Sequence, residues 1–417
     1  MLDCFGLGVN GIIGSGIFLL PAALARRAGG RSPLAWLLVG GLCALVALCF
    51  AEAAGRTDRS GGPYRYACDA FGPRVGFAVG WITVVSSLLG YSAVARGFAE
   101  HAAILVGRGG SRAIEDATAV ALVAFLGLVN VVGVKPSARV GNTIGALKLL
   151  GLFAFIAVGA FAVRAGALHL APSPRAGETA GVGAAAFAGL FACTGFEYVP
   201  VPAGETKNAT RAVGLAAVLS VVGATIIYAI VQVIAVGADP SLGRSAAPLV
   251  DAARAFAGSG GATAMAVVAL ISAFGFCSGS ALVCPRYLES FAEDGFLPRP
   301  LATRSPRFAT PVVAIAVTSL VVAPMAMALD FNQLADTSNV AVVAQYVSTA
   351  IAVIVMRRRH GPSPGFRVPL GWTVPFLAIA GCALFMWQVA KGEIYLALGL
   401  LAGGVVLAAL NRVHSRP

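Results

Sequence analysis

Residues 4–26 are almost wholly apolar, and eleven further stretches of the same kind follow, separated by polar, Gly- and Pro-bearing segments. Their bounds are roughly 33–54, 73–101, 117–134, 138–163, 182–203, 211–237, 261–291, 310–329, 333–356, 372–390 and 394–411. A helix rises 1.5 Å per residue, so about 20 apolar residues cross the ~30 Å hydrocarbon core of a bilayer. The pattern predicts an all-α protein of about twelve transmembrane spans, with no soluble domain between them.

Two of the spans are interrupted near their middles. The first reads GIIGSGIFLLPAAL over 11–24, with Gly11, Gly14, Ser15 and Gly16 inside the apolar run. The sixth reads AGLFACTGFEYVP over 188–200, with Gly195 and Glu197 in the corresponding place. A Gly in a helix interior costs roughly 1 kcal/mol against Ala. Backbone groups left unpaired in hydrocarbon cost several kcal/mol each, so an unwound stretch survives where it lines a cavity or meets a ligand. The half-helix before a break ends in unpaired carbonyls, which attract a cation; the half after it begins with N–H groups, which attract an anion. An α-amino acid zwitterion carries both charges. Gly14 and Gly16 let a carboxylate approach the backbone, and Ser15 adds a hydroxyl donor. Taken alone, Gly-Ser-Gly equally suits close helix packing; the second break in the sixth span favours binding.

Five spans separate the two breaks. An odd offset makes the second unit enter the membrane from the opposite side, the mark of an inverted-topology repeat. The expected units are 1–163 (spans 1–5) and 182–356 (spans 6–10), with two further spans over 372–411.

Composition supports lipid as the solvent. The chain of 417 residues is 58% hydrophobic and 12% charged, with a mean hydropathy of +0.85, where a soluble domain carries about 25% charged residues. The net charge of +12 reads as topology rather than nucleic-acid binding, because cytoplasmic loops are enriched in Lys and Arg. With the N-terminus inside, eighteen of the thirty basic residues fall in cytoplasmic segments. Both termini are therefore expected to be cytoplasmic, although Arg26, Arg27 and Arg31 run against that bias. Met1-Leu2-Asp3 lacks the basic start of a cleavable signal peptide. The eight cysteines show no CxxC or Cys/His spacing, so neither a metal, a cofactor nor a disulfide framework is expected. The four histidines (101, 169, 360 and 414) lie at span ends or in loops, and no acidic pair sits mid-membrane. That argues against an enzyme, and the lack of polar rings along the spans argues against a channel.

GVNGIIGSGIFLLPAALA (8–25) resembles the first helix of the amino acid–polyamine–organocation (APC) superfamily of transporters. SGGPYRYACDAFGPRVGFAVGW (60–81), GVKPSARVGNTIGALKLLGLFAF (133–155), FAGLFACTGFEYVPVPAGETKNATR (187–211) and RYLESFAEDGFLPRPLA (286–302) resemble later parts of it, in the family's order. Departures fall at Gly204-Glu205 with Lys207-Asn208-Ala209, and at Pro285. The resemblance implies a leucine-transporter-type fold of five plus five inverted helices, with discontinuous helices 1 and 6, working by alternating access in the cell membrane.

It also implies roles. The substrate carboxylate would meet the N–H groups of Ser15, Gly16 and Ile17, and the ammonium would meet carbonyls of Ile12, Phe191 and Thr194, beside Gly195. Phe191 would close over the substrate. Lys148 lies ~16 Å into its helix, where a lysine is by default functional. In proton-coupled or exchanging relatives a lysine at this position replaces a bound sodium ion, near Gly11 and Ile12. Glu197 suits a proton carrier, a gate or a structural cap equally. Arg96 reads as snorkelling outward rather than as a substrate contact. Specificity would come from Ser86, Ser87 and Leu88 in span three and Phe276, Cys277 and Ser280 in span eight. Ser280 stands where arginine-recognising relatives carry tryptophan, which favours a small or medium neutral amino acid. A basic amino acid or polyamine antiporter and a non-transporting amino-acid sensor remain open, as do the oligomeric state and a single-span partner.

Overall fold

The computed structural model of the protein describes residues 12–56, 62–133, 138–163, 166, 170–175, 178–196, 209–361 and 363–414. Within them the chain is helical, and the helices follow the apolar stretches. Seven are long and apolar enough to cross a membrane, or eight when the bent pair Thr373–Met386 and Lys391–Val406 counts as one. The predicted twelve are redistributed for physical reasons. The described part of the first span runs almost without a gap into the second, as Pro21–Ala54. The sixth stops early at its break, as Val182–Cys193, and the ninth is the short apolar helix Val312–Ala328.

Two helical segments lay outside the apolar pattern. Gly62–Phe71, read as loop, is an amphipathic helix before span three. The eighth span starts early, at Pro248, and bends at Gly258, whose φ of 67° is a left-handed conformation that glycine adopts without strain. Pro285 sits inside that helix without ending it.

Span two packs along span seven, Ala209–Ala238, while span three, Pro73–Leu105, lies against spans eight and ten. Buried polar side chains tie the first pair to span one. Gln232 of span seven donates to the Pro21 carbonyl (3.0 Å) and to Ser32 Oγ (3.0 Å), and accepts from Trp36 Nε1 (3.2 Å). Leu320, Leu150 and Leu384 instead point outward, each about two-thirds exposed or more, as befits surfaces meeting lipid.

Several charges near the span ends are buried and paired rather than solvated. Arg26 and Arg27 are 4% and 6% exposed. Arg26 holds Glu178 (2.8 Å), and Arg27 pairs with Asp336 of span ten and donates to the Ala184 carbonyl (3.1 Å). Their position against the charge bias is thus a matter of packing. Burial alone would raise the Glu178 carboxyl, but the Arg26 hydrogen bonds and nearby guanidinium charges outweigh it and hold it down at about 2. Arg96 does not snorkel. It is 3% exposed and joins spans three and four through Asp116 (2.7 Å), Glu100 (3.0 Å) and Glu115, because a buried guanidinium must find carboxylates. At the far end of span two, Glu52 gathers Arg357 (2.7 Å), Arg56 (3.1 Å) and the Val368 N–H (2.9 Å).

Candidate functional site

The first span breaks where its glycines are. After Ile12 the chain leaves the helix over Ile13, Gly14 and Ser15, then resumes with the turn Gly16–Leu19 and the helix Pro21–Ala28. The Gly14 N–H turns back to the Ile12 carbonyl (2.7 Å). The sixth span ends at Cys193. Thr194 is extended, with ψ at 160°, and Gly195 has a φ of 114°, a conformation for which glycine is the natural residue. Glu197 lies outside the described residues.

The two breaks lie side by side. A Cβ on Gly16 would fall 2.5 Å from the Ala192 Cβ and 2.7 Å from its Cα, so Gly16 is needed for close approach of the two backbones, whatever its amide does. Tyr228 of span seven, fully buried against Trp36 (ring centroids 4.9 Å apart), reaches between them. Its hydroxyl lies 2.9 Å from the Ile12 carbonyl and 3.1 Å from the Ala192 carbonyl. One O–H thus faces a carbonyl from each broken helix, and sequence reasoning missed it. A tyrosine in an apolar helix gives no sign of which backbone it will reach.

Other expected site residues fall around this junction. Ser15 is 2% exposed, and its hydroxyl has no hydrogen-bond partner among the described residues. Such a group buried without a partner costs about 1–3 kcal/mol, so the site is suited to an incoming acceptor. Gly16 and Ile17 begin a helical turn, where N–H groups lack intrahelical acceptors. Gly14 faces the ring of Phe276 (3.7 Å from a built Cβ), and Gly90 of span three lies between Phe191 and Phe276 (3.7 and 3.8 Å). Phe191 is buried and meets Phe331 of span ten edge-on, with ring centroids 5.7 Å apart. The Phe191 carbonyl accepts from Thr194 Oγ1 (2.8 Å), so it is already partly occupied.

The remaining residues are more scattered. Lys148 is 6% exposed in span five, on the face whose Ile144 and Gly151 pack against Gly275 and Val268 of span eight. Cys277 is fully buried next to Phe276. Ser280 is half-buried one turn further on, and Ser87 is half-buried with its hydroxyl turned to the Thr83 carbonyl (2.8 Å). The hydroxyl of Tyr91, beside Gly90, is buried and has no partner among the described residues. It was not singled out from the sequence.

Broken membrane helices meeting at a buried, polar backbone junction define the class: a membrane transporter with a leucine-transporter-type all-α fold. Comparison with known proteins agrees. Residues 1–396 match the family described as amino acid permease. The methylthioribose transporter of Bacillus subtilis is 28% identical, over 98% of this chain and 92% of its own. The branched-chain amino acid permease BcaP of the same organism is 27% identical over the same shares. Its serine/threonine exchanger SteT is 28% identical, over 91% of this chain and 88% of its own. The chain belongs to the amino acid permease family of the APC superfamily, a family of multi-pass membrane transporters and not of enzymes.

Proposed function

We propose that this permease moves small or medium neutral L-amino acids across the cell membrane by alternating access, proton-coupled or exchanging and independent of sodium. The observation that carries the reading is the junction of the two breaks, where Gly16 meets Ala192, Tyr228 spans two carbonyls and the Ser15 hydroxyl is buried without a partner among the described residues. The substrate carboxylate would take the N–H groups of Ser15, Gly16 and Ile17, and the ammonium the carbonyls of Ile12, Phe191 and Thr194. Phe191 closes over it, backed by Phe331. Ser87, Cys277 and Ser280 shape the side-chain pocket, and the backbone junction is blind to the side chain.

Lys148 supplies the positive charge that a sodium ion would otherwise bring, and its proton couples transport to pH; Glu197 is a second candidate carrier. In this reading the two inverted units are 1–163 and 182–356, with 372–411 appended and both termini cytoplasmic. The names of the relatives support an amino-acid substrate in two cases and methylthioribose in one.

The test is counterflow in proteoliposomes with labelled neutral and basic amino acids, a polyamine and methylthioribose, at two pH values, with and without sodium. Exchange of leucine, serine or alanine without sodium is expected. Exchange of lysine, arginine or the polyamine alone would replace the neutral reading with the basic one, and exchange of methylthioribose alone would replace the substrate class. Binding of an amino acid without any flux would mark a sensor. Lys148→Ala should abolish the pH dependence and leave binding; a requirement for sodium refutes the role of Lys148.

A further inference from the structure

Span ten ends in Arg357-Arg358-Arg359, and Arg367 follows in the loop before the helix Thr373–Met386. From 337 to 392 the chain has no acidic residue, so this end brings no carboxylate of its own. Among the described residues, Glu52 answers Arg357 (2.7 Å) and leaves the others unmatched. Arg359 donates to the Ala70 carbonyl (2.9 Å) and Arg367 to the Ser363 carbonyl (3.0 Å), contacts that do not neutralise a charge. Asp69, beside Ala70, is paired with Arg65 (3.7 Å). Arg358, Arg359 and Arg367 are all exposed.

The same loop turns apolar side chains outward. Leu370 is 77% exposed and Trp372 44%. Leu370 has a φ of 58°, a left-handed conformation unusual for a bulky side chain. Arg357 fixes this turn: it donates to the Gly371 carbonyl (2.7 Å), and its guanidinium lies 5.5 Å from the centre of the Trp372 ring. Backbone strain persists where the surroundings impose it, and it points to use. A leucine is ordinarily buried, yet here a strained turn holds it in the open. Trp372 stands at the start of the apolar helix Thr373–Met386, and tryptophan is enriched where such a helix meets the membrane–water boundary.

We propose that this end of span ten is a docking site for an anionic phospholipid, whose phosphate meets Arg358, Arg359 and Arg367 and whose acyl chains meet Leu370 and Trp372. Guanidinium groups match phosphate oxygens in geometry as well as charge. Basic residues directly after a membrane span attract acidic headgroups, each adding about fivefold to the affinity. A soluble acidic peptide would meet the arginines and leave Leu370 without a partner, whereas a phospholipid joins both chemistries in one molecule. In the orientation proposed above, the site faces the cytoplasmic leaflet. It does not depend on which substrate the permease carries.

The experiment is native mass spectrometry of the full chain in detergent, titrated with phosphatidylglycerol, phosphatidylcholine or inorganic phosphate. Wild type should retain phosphatidylglycerol in preference to phosphatidylcholine. Arg358→Gln with Arg367→Gln should weaken the binding of phosphatidylglycerol by about 25-fold. Arg299→Gln with Arg307→Gln removes the same charge at exposed positions between spans eight and nine and should leave retention unchanged. Leu370→Gly suits the left-handed turn, so it should melt no lower than wild type yet hold the lipid less tightly. That variant separates lost binding from lost folding. Equal retention of the two lipids by wild type, equal losses in the two arginine pairs, or full retention by both the Arg358/Arg367 pair and Leu370→Gly overturns the site. Displacement of phosphatidylglycerol by inorganic phosphate at comparable concentration overturns the lipid as its occupant. Retention of neither lipid leaves the arginines to a soluble acidic partner and overturns it as well.

Discussion

Replacing Tyr228 with Phe removes one oxygen and leaves the ring packed on Trp36, whose centroid is 4.9 Å away. The oxygen lies within hydrogen-bond distance of the Ile12 and Ala192 carbonyls, but it has one proton and satisfies one of them fully at a time. Ile12 also accepts from the Gly14 N–H at 2.7 Å, so the loss falls mainly on Ala192, near the end of its helix. A buried acceptor left without its donor costs about 1–3 kcal/mol. In the alternating-access cycle proposed above the two helices of the junction move, so that cost acts on the balance between conformations and shifts it by roughly 5- to 150-fold. The assay is uptake of the amino acid identified by counterflow, with maximal rate and half-saturation followed separately. Thr225→Val is the control, since the Thr225 hydroxyl one turn away bonds its own helix at Val221 (2.7 Å) among the described residues. Tyr228→Phe should change the half-saturation or the maximal rate at least fivefold while the control changes neither. Equal kinetics for wild type and Tyr228→Phe would show that the hydroxyl does not couple the breaks.

Gly16 and Gly14 should behave oppositely. Gly16→Ala drives a Cβ into the Ala192 backbone and should cost about 1–3 kcal/mol of stability, as overpacking does, together with uptake, whereas Gly14→Ala, with 3.7 Å to Phe276, should be tolerated in the thermal melt. Asp336→Asn leaves the Arg27 guanidinium buried with its main partner neutral, and breaking such a pair costs about 3–5 kcal/mol; a double-mutant cycle with Arg27→Met should recover much of that loss in the melting temperature, and strict additivity would refute the pairing. Glu178 is held at about 2 against an ordinary 4.5, so its contribution is complete above the ordinary value and is lost as pH falls toward 2. The melting temperature of Glu178→Gln should therefore decline less than that of wild type between about pH 5 and pH 2, and parallel declines would remove Glu178 from the account of acid sensitivity.

The sequence by itself determined the solvent, the helices and the places where two of them break. Hydrophobic periodicity and glycine content act over a few residues, and lipid leaves a backbone few alternatives to the helix. The breaks at Gly14, Ser15, Gly16 and Gly195 were accordingly legible from their own neighbourhoods, and the family resemblance supplied Phe191 and the roles that local chemistry left open. Partner choice was not legible. Tyr228 meets Ile12 across 216 residues and Arg27 meets Asp336 across 309, and nothing in either neighbourhood names the other. Arg96 shows the same limit: from its position it reads as snorkelling to the interface, yet three carboxylates from two helices hold it inside. Gly16 shows it in reverse, since the glycine suited to a bound carboxylate is also the one that Ala192 leaves no room to replace. Only tertiary structure decided these, because burying a charge or a carbonyl is costly until a particular partner arrives, and the packing of distant helices selects that partner.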